Sequence, residues 1–386
     1  MTTQASLFRP RFLFLLALQF VFGLGFSSFF LLPKYLTEVH GAGPDLIGRV
    51  MAAGPIAAVA TIPFAASFID RIARRAMLAA GALALFVAAL GFRHLGELGL
   101  EIYFLRALQG AGFTLYMSAG ATLVAELSPP ERLGQAFGLL GAAMLSTNAI
   151  GPGLAEPIAQ RYGWHPVFVA SAACSLIALL GVYLLREERR VVSPRLVSVR
   201  LWQPRLRRLL YAGAVVGVSF GTVITFYQPL ALSLGIHEVR DLFIGYTITA
   251  LAVRVVFGGW LDRFGRQRVA LISASLYALA VLATAGLQPG WLLPLGLLLG
   301  LAHGMLYPVL SALVLEGADP NSRGTLMTCF GGSFNVGMTL STLGCGLIAH
   351  AVGYRALFVI AGLFAASSVA AIAGITQRIQ GEETYT

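Results

Sequence analysis

Apolar stretches of membrane length recur along this chain, separated by short segments rich in Arg, Gly and Pro. A helix needs about 20 mostly apolar residues to cross a hydrocarbon core. Such stretches are predicted at 12–36, 46–69, 76–95, 101–126, 134–158 and 165–186 in the first half. Six more are predicted in the second half, at 209–235, 242–261, 268–287, 291–316, 325–350 and 355–376. The pattern predicts an all-α membrane protein with twelve transmembrane helices.

Charge placement adds an orientation. Arg9, Arg11, Arg71, Arg74, Arg75, Arg132, Arg263, Arg266, Arg268 and Arg323 fall before the first span or in alternate short loops. The middle linker adds eight more between Arg186 and Arg208, while the opposite loops hold fewer, Lys34, Arg49, Arg93, Arg161, Arg240 and Arg355. Short cytoplasmic loops carry the excess of Lys and Arg, so both termini and the linker are expected in the cytoplasm of a multi-pass inner-membrane protein. The first apolar run is too long for a signal-peptide core and no small-residue cleavage site follows it, so an uncleaved first span is expected.

Composition agrees. The chain has 386 residues, 57% hydrophobic and 11% charged, against about 25% charged in soluble domains. The net charge of +10 reports topology and needs no nucleic acid as partner; residues 195–208 could also lie on anionic lipid. Cys174, Cys329 and Cys345 all fall inside spans, an odd number that argues against a disulfide framework and against a Cys metal site.

The halves repeat one another. Segment 123–134 matches 313–324, which places Glu126 on Glu316, Pro130 on Pro320 and Gly134 on Gly324, and a like shift carries Gly163 to Gly353 and Phe168 to Phe358. The loop pairs Asp70-Arg71 and Asp262-Arg263 follow the same order. Two pseudo-symmetric six-helix bundles are therefore expected, 1–186 and 209–386, joined by a basic cytoplasmic linker at 187–208.

At these residues the chain resembles the major facilitator superfamily, in its drug- and sugar-efflux-like branch, over nearly its whole length. Residues 258–267 are similar to that family's Gly-x-x-x-Asp-Arg-x-Gly-Arg-Arg loop, with Gln267 in the last place; 66–75 keep Asp70, Arg71, Arg74 and Arg75 but carry Ala66 and Ala73 for glycine. Arg106 to Gly110 resembles a second pattern, Arg-x-x-Gln-Gly. Gly151-Pro152-Gly153 resembles the exporters' Gly-Pro element, incompletely, because Ala155-Glu156 stand where paired glycines are common. The resemblance implies a central cavity lined by spans one, four, seven and ten. It places Arg106 and His303 there, with Gln19, Gln109, Tyr116, Thr222, Thr225, Gln228 and Tyr307 as hydrogen-bonding side chains.

Two sets of ionisable residues carry candidate chemistry. A helix N-terminus seats a carboxylate, so Asp70 with Arg74, and Asp262 with Arg266, are candidate latches at the inner side, with Glu126 and Glu316 as further partners; the alternative is that these charges only set topology. Within the spans the ionisable residues are Arg106, Arg254 and His303, and Glu156 is read as lying near the outer end of the fifth span. An arginine without a carboxylate favours an anionic or polar neutral solute over a cation; Arg106 and Arg254 could equally be structural. His303 titrates in the useful range and is the candidate for proton coupling, against a packing role beside Gly296, Gly300 and Gly304.

Gly217-Val218-Ser219-Phe220-Gly221 fits a serine-hydrolase elbow, but no strand-turn-helix pattern surrounds it. No phosphate-binding Gly-x-x-x-x-Gly-Lys loop and no zinc-type spacing occur. The expected function is thus secondary transport and not catalysis, without cofactor or metal. A small organic solute, neutral or anionic, would move by alternating access as proton-coupled efflux; the alternative is organic-anion uptake by symport or uniport. The expected partners are that solute, protons and the lipid bilayer, with a monomer as the working unit.

Overall fold

The computed structural model describes residues 7–69, 74–185, 203–256, 264–319 and 322–382. All regular structure among them is helical. The helices are α1 Pro10–Ser27, α2 Leu32–His40, α3 Pro44–Ile69, α4 Arg74–Arg93, α5 Glu101–Leu127, α6 Leu133–Tyr162 and α7 Trp164–Val182, then α8 Pro204–Ser233, α9 Arg240–Val256, α10 Arg266–Ala283, α11 Leu292–Leu315 and α12 Arg323–Glu382. A 3-10 turn, Ser28–Leu31, joins α1 to α2.

Local chemistry sets several boundaries. Pro10 and Pro204 open α1 and α8, where a missing N–H removes no helical bond. Gly163 ends α6 and starts α7 with φ 81°. Gly353, the residue paired with it in the repeat, breaks α12 with φ 84°. A Cβ is unfavourable at both, so the two halves of the sequence use the same glycine for the same turn.

Among the described residues nine helices are long and apolar enough to cross a membrane. One of them runs over 51 residues, Thr325–Ile375, and contains the Gly353 break. Glu101–Leu127 falls outside this set, as does Arg240–Val256, which is described over 17 residues. Exposed stripes such as Leu176, Ile177 and Leu180 on α7, and Leu340, Leu343 and Leu347 on α12, present apolar side chains outward at helical spacing. Apolar surface on that scale is suited to lipid contact.

The chain forms two compact units. Unit 1 takes in 1–35 and 53–193, and unit 2 takes in 36–52 and 194–386. In unit 1, α4 packs along α5 and α7, and α1 packs against α6 and α7. Phe29, Phe92, Tyr35, Trp164 and Phe168 form an aromatic cluster where α2 and α7 meet. In unit 2, α8 runs along α12 and α9 along α11. Gly296 and Gly300 of α11 let the α9 backbone approach so closely that a Cβ on either would overlap the carbonyl oxygens of Leu242 and Tyr246. This is the small-residue ridge expected beside His303. Within the same unit, Gly48 packs on Thr342 and Gly346, and His350 Nδ1 stands 3.7 Å from Asp45.

Of the basic residues expected in the outer loops, one is buried. Lys34 is not a loop residue: it sits inside α2 with a side chain 1% exposed. The apolar run of the first span continues past it, and a carboxylate supplied by α6 makes its burial tolerable.

Candidate functional site

Unit 1 brings α1 and α5 together antiparallel, with a regular ladder of side chains. Gln19 lies against Gly120, Phe22 stacks on Tyr116 at 3.8 Å, and Phe26 stacks on Phe113 at 4.3 Å. Tyr116 donates its hydroxyl to the Leu18 carbonyl. One helical step further along α5, Arg106 Nη1 donates to Gln109 Oε1 at 2.7 Å, and the guanidinium packs over Gly54 of α3. Arg106, Gln109, Phe113, Tyr116 and Gly120 share one face because their spacing follows the helical repeat.

The ladder leaves polar atoms without partners among the described residues. Arg106 Nε, Gln109 Nε2 and both amide atoms of Gln19 are buried and unbonded there. A buried donor left unpaired is unfavourable by about 1–3 kcal/mol, so these groups are suited to water or to an acceptor-bearing ligand.

The charged residues at the ends of the helices also pair inside their own units. Arg74 Nη2 lies 3.2 Å from Glu126 Oε1, and both are mostly buried. In unit 2 the repeat-related Arg266 and Glu316 stand 3.7 Å apart, with Arg205 also bonded to Glu316. Asp70 and Asp262 lie outside the described residues.

In unit 2 the predicted site residues separate into two groups. His303 accepts or donates through Nδ1 to Tyr246 Oη at 2.8 Å and is ringed by Phe220, Tyr246, Tyr277, Tyr307 and Phe334. Its Nε2 and the Tyr277 hydroxyl have no partner among the described residues. Arg254, exposed on α9, lies within electrostatic reach of Tyr246, His303 and Tyr307. Thr222 bonds to Val218 of its own helix and to Cys345 Sγ of α12 at 3.2 Å, Gln228 donates to Ile224 of its own helix, and Thr225 is buried. Ser219 likewise donates to Val215 of its own helix, in a span where Gly217 and Gly221 admit the α12 backbone and Ser341.

Two arrangements were not anticipated. Glu156 is fully buried and lies 2.5 Å from Lys34 Nζ, an ion pair joining residues 122 apart. Each is the lone charge near the end of its predicted span, next to a proline, Pro33 or Pro157; that shared placement was the available signal. Tyr246 is the second, because nothing in the sequence marks which aromatic will meet His303.

A sequence model of the Major Facilitator Superfamily matches residues 13–237 and again 209–379. Among curated proteins the chain is 25% identical to "Multidrug resistance protein MdtG" of Salmonella choleraesuis (strain SC-B67) over 348 residues, 85% of each chain. It is 27% identical to "Multidrug resistance protein 2" of Bacillus subtilis (strain 168) over 321 residues, 78% of this chain and 79% of that one. Among solved structures it is similar in fold to the nucleoside transporter NupG, with TM-score 0.77 and 14% identity over 95% of this chain and 99% of that one. The human organic anion transporter MFSD10 is also similar, with TM-score 0.68 and 15% identity over 94% of this chain and all of the other. With the family model spanning nearly the whole sequence, the chain belongs to the major facilitator superfamily.

Proposed function

We propose that this protein is a twelve-span secondary transporter of the bacterial inner membrane that exports a small neutral or anionic organic solute in exchange for protons. Its termini and the 187–208 linker face the cytoplasm, and two six-helix bundles, 1–186 and 209–386, alternate access to a site near mid-membrane. The observation that carries the solute class is the Arg106–Gln109 pair, whose Arg106 Nε and Gln109 Nε2 donors are buried with no acceptor among the described residues. A carboxylate, phosphonate or hydroxyl oxygen would satisfy them, and a quaternary ammonium would be repelled. Efflux is favoured over uptake by the multidrug-resistance names of the two relatives and by the Gly151-Pro152-Gly153 element. His303, Tyr307 and the buried polar residues of α8 are the proposed contributions of unit 2. The pairs Arg74–Glu126 and Arg266–Glu316, with Asp70 and Asp262, are the proposed gating charges.

The test is counterflow in proteoliposomes. Radiolabelled benzoate, xylose and tetraphenylphosphonium represent anionic, neutral and cationic solutes, after a thermal-shift screen of the purified protein against the same classes. Exchange of benzoate or xylose, accelerated by a pH gradient, is expected. Preference for the cation would overturn the solute class, and no counterflow of any class would overturn the carrier reading.

A further inference from the structure

Unit 1 carries two stacked aromatic rungs between α1 and α5, and packing accounts for only one of them. Phe22 and Tyr116 are fully buried, and the Tyr116 hydroxyl is bonded to the Leu18 carbonyl, so this rung closes the ladder. Phe26 and Phe113 stack at 4.3 Å, yet both remain half-exposed. Phe30, also half-exposed, stands edge-on to Phe26. A pair that only held two helices together gains most by burying its rings completely, as the first rung does. The second rung keeps aromatic surface open.

That open rung lies beside the unbonded donors. Long side chains on a helix lean back toward the preceding turn, but Arg106 folds forward and bonds Gln109 Oε1 at 2.7 Å. A Cβ on Gly54 would meet this guanidinium, and one on Gly110 would overlap the Gly54 carbonyl, which puts the guanidinium level with Gln109 and Gly110. Arg106 Nε and Gln109 Nε2 are buried and without a partner among the described residues. They therefore stand one helical turn, about 5.4 Å, from Phe113 on the same face of α5.

We propose that this face of unit 1 recognises an aromatic carboxylate. The acid group accepts from Arg106 Nε and Gln109 Nε2, and the ring lies against Phe26 and Phe113, which set a preference for a flat aromatic ring over an aliphatic one. This rests on the transporter reading above and narrows its solute from neutral or anionic to an aromatic acid. A guanidinium with an amide donor beside it suits a carboxylate, whose two oxygens accept in one plane. An acid joined directly to its ring holds that ring within a turn of the donors, where the open rung is. Rings attract one another in offset or edge contact beyond what an equal apolar area supplies, so saturated rings of the same size gain less here.

Equilibrium binding to the full chain in lipid nanodiscs tests this with two probes of equal charge and nearly equal bulk, benzoate and cyclohexanecarboxylate. Benzoate should bind about 3- to 10-fold tighter. Phe113→Leu and Phe26→Leu should each shrink that ratio by weakening benzoate alone, and Phe113→Tyr should keep it. Phe104→Leu, at a ring 67% exposed on the opposite face of α5, should behave as wild type. Equal affinity for the two acids in the wild-type protein overturns the aromatic preference, whether or not the variants insert. A ratio that survives in Phe113→Leu or Phe26→Leu removes that ring from the site. Counterflow separates this inference from the carrier reading: exchange of xylose with neither acid bound overturns the aromatic acid alone, whereas preferential benzoate binding without counterflow of any solute leaves the site and overturns the transporter.

Discussion

Arg106 shows how far one residue's chemistry could be read in advance. The spacing to Gln109 placed both on one face of a helix, and the structure adds the bond between them. A hydrogen bond to a charged group is worth about 1.5–3 kcal/mol. Arg106→Ala is therefore expected to weaken solute binding roughly 10- to 100-fold, measured by thermal shift or equilibrium binding, with membrane insertion unchanged. Arg106→Lys should recover only part of this, because it keeps the charge but loses the guanidinium fork and the unbonded Nε. Unaltered affinity in both variants would remove Arg106 from the site. Where residue-level reading stopped is clear from Lys34 and Glu156. Each was visible as a charge beside a proline, but their contact spans 122 residues and no local pattern encodes it. One prediction follows for His303: if it carries the exchanged proton, His303→Ala abolishes acceleration by a pH gradient, read as solute flux in the same liposomes, and equal acceleration would exclude it as the carrier.

Helix contacts carry the next level, and glycine decides the closest of them. In unit 1 a Cβ on Gly110 would overlap the Gly54 carbonyl, and in unit 2 one on Gly300 would overlap that of Tyr246. Overpacking of this kind is destabilising by about 1–3 kcal/mol. Gly110→Ala and Gly300→Ala should each lower the thermal unfolding midpoint in detergent. Gly138 has nothing within 4 Å of its Cβ position. Gly138→Ala should leave the midpoint unchanged or raise it, since alanine favours helix by up to about 1 kcal/mol. A uniform response across the three would contradict the packing assignment. The helix-end ion pairs also differ in strength by setting. Arg74–Glu126 is mostly buried, whereas Arg266–Glu316 is more than a third exposed and screened by water. Glu126→Gln should consequently reduce transport more than Glu316→Gln, with equal amounts of protein in the membrane. The glycine repeats were legible as a ridge; which helix each ridge faces was not.

At the scale of the molecule, the proposed topology makes a direct prediction. Reporter fusions after residues 8, 130, 200 and 320 should read cytoplasmic, and fusions after 42, 98, 163, 237, 289 and 353 should read periplasmic. A single reversal would break the twelve-span reading. Neutralising Asp262 should lower transport with insertion intact, and unchanged transport would leave that loop with topology as its only role.

Hydrophobicity and span length are properties of short stretches of chain, so the sequence alone determined the membrane class, the all-helical character and the family pattern. Even the turn glycines at 163 and 353 were fixed this way, because only a local conformation is involved. Tertiary structure alone decided which polar groups meet: Arg106 over Gly54, Tyr246 on His303, Glu156 on Lys34. The physical reason is that these helices are apolar on nearly every side. Lipid and protein neighbours demand the same side chains, so the periodicity that would reveal a buried face is lost, and only packing selects which way each polar residue turns.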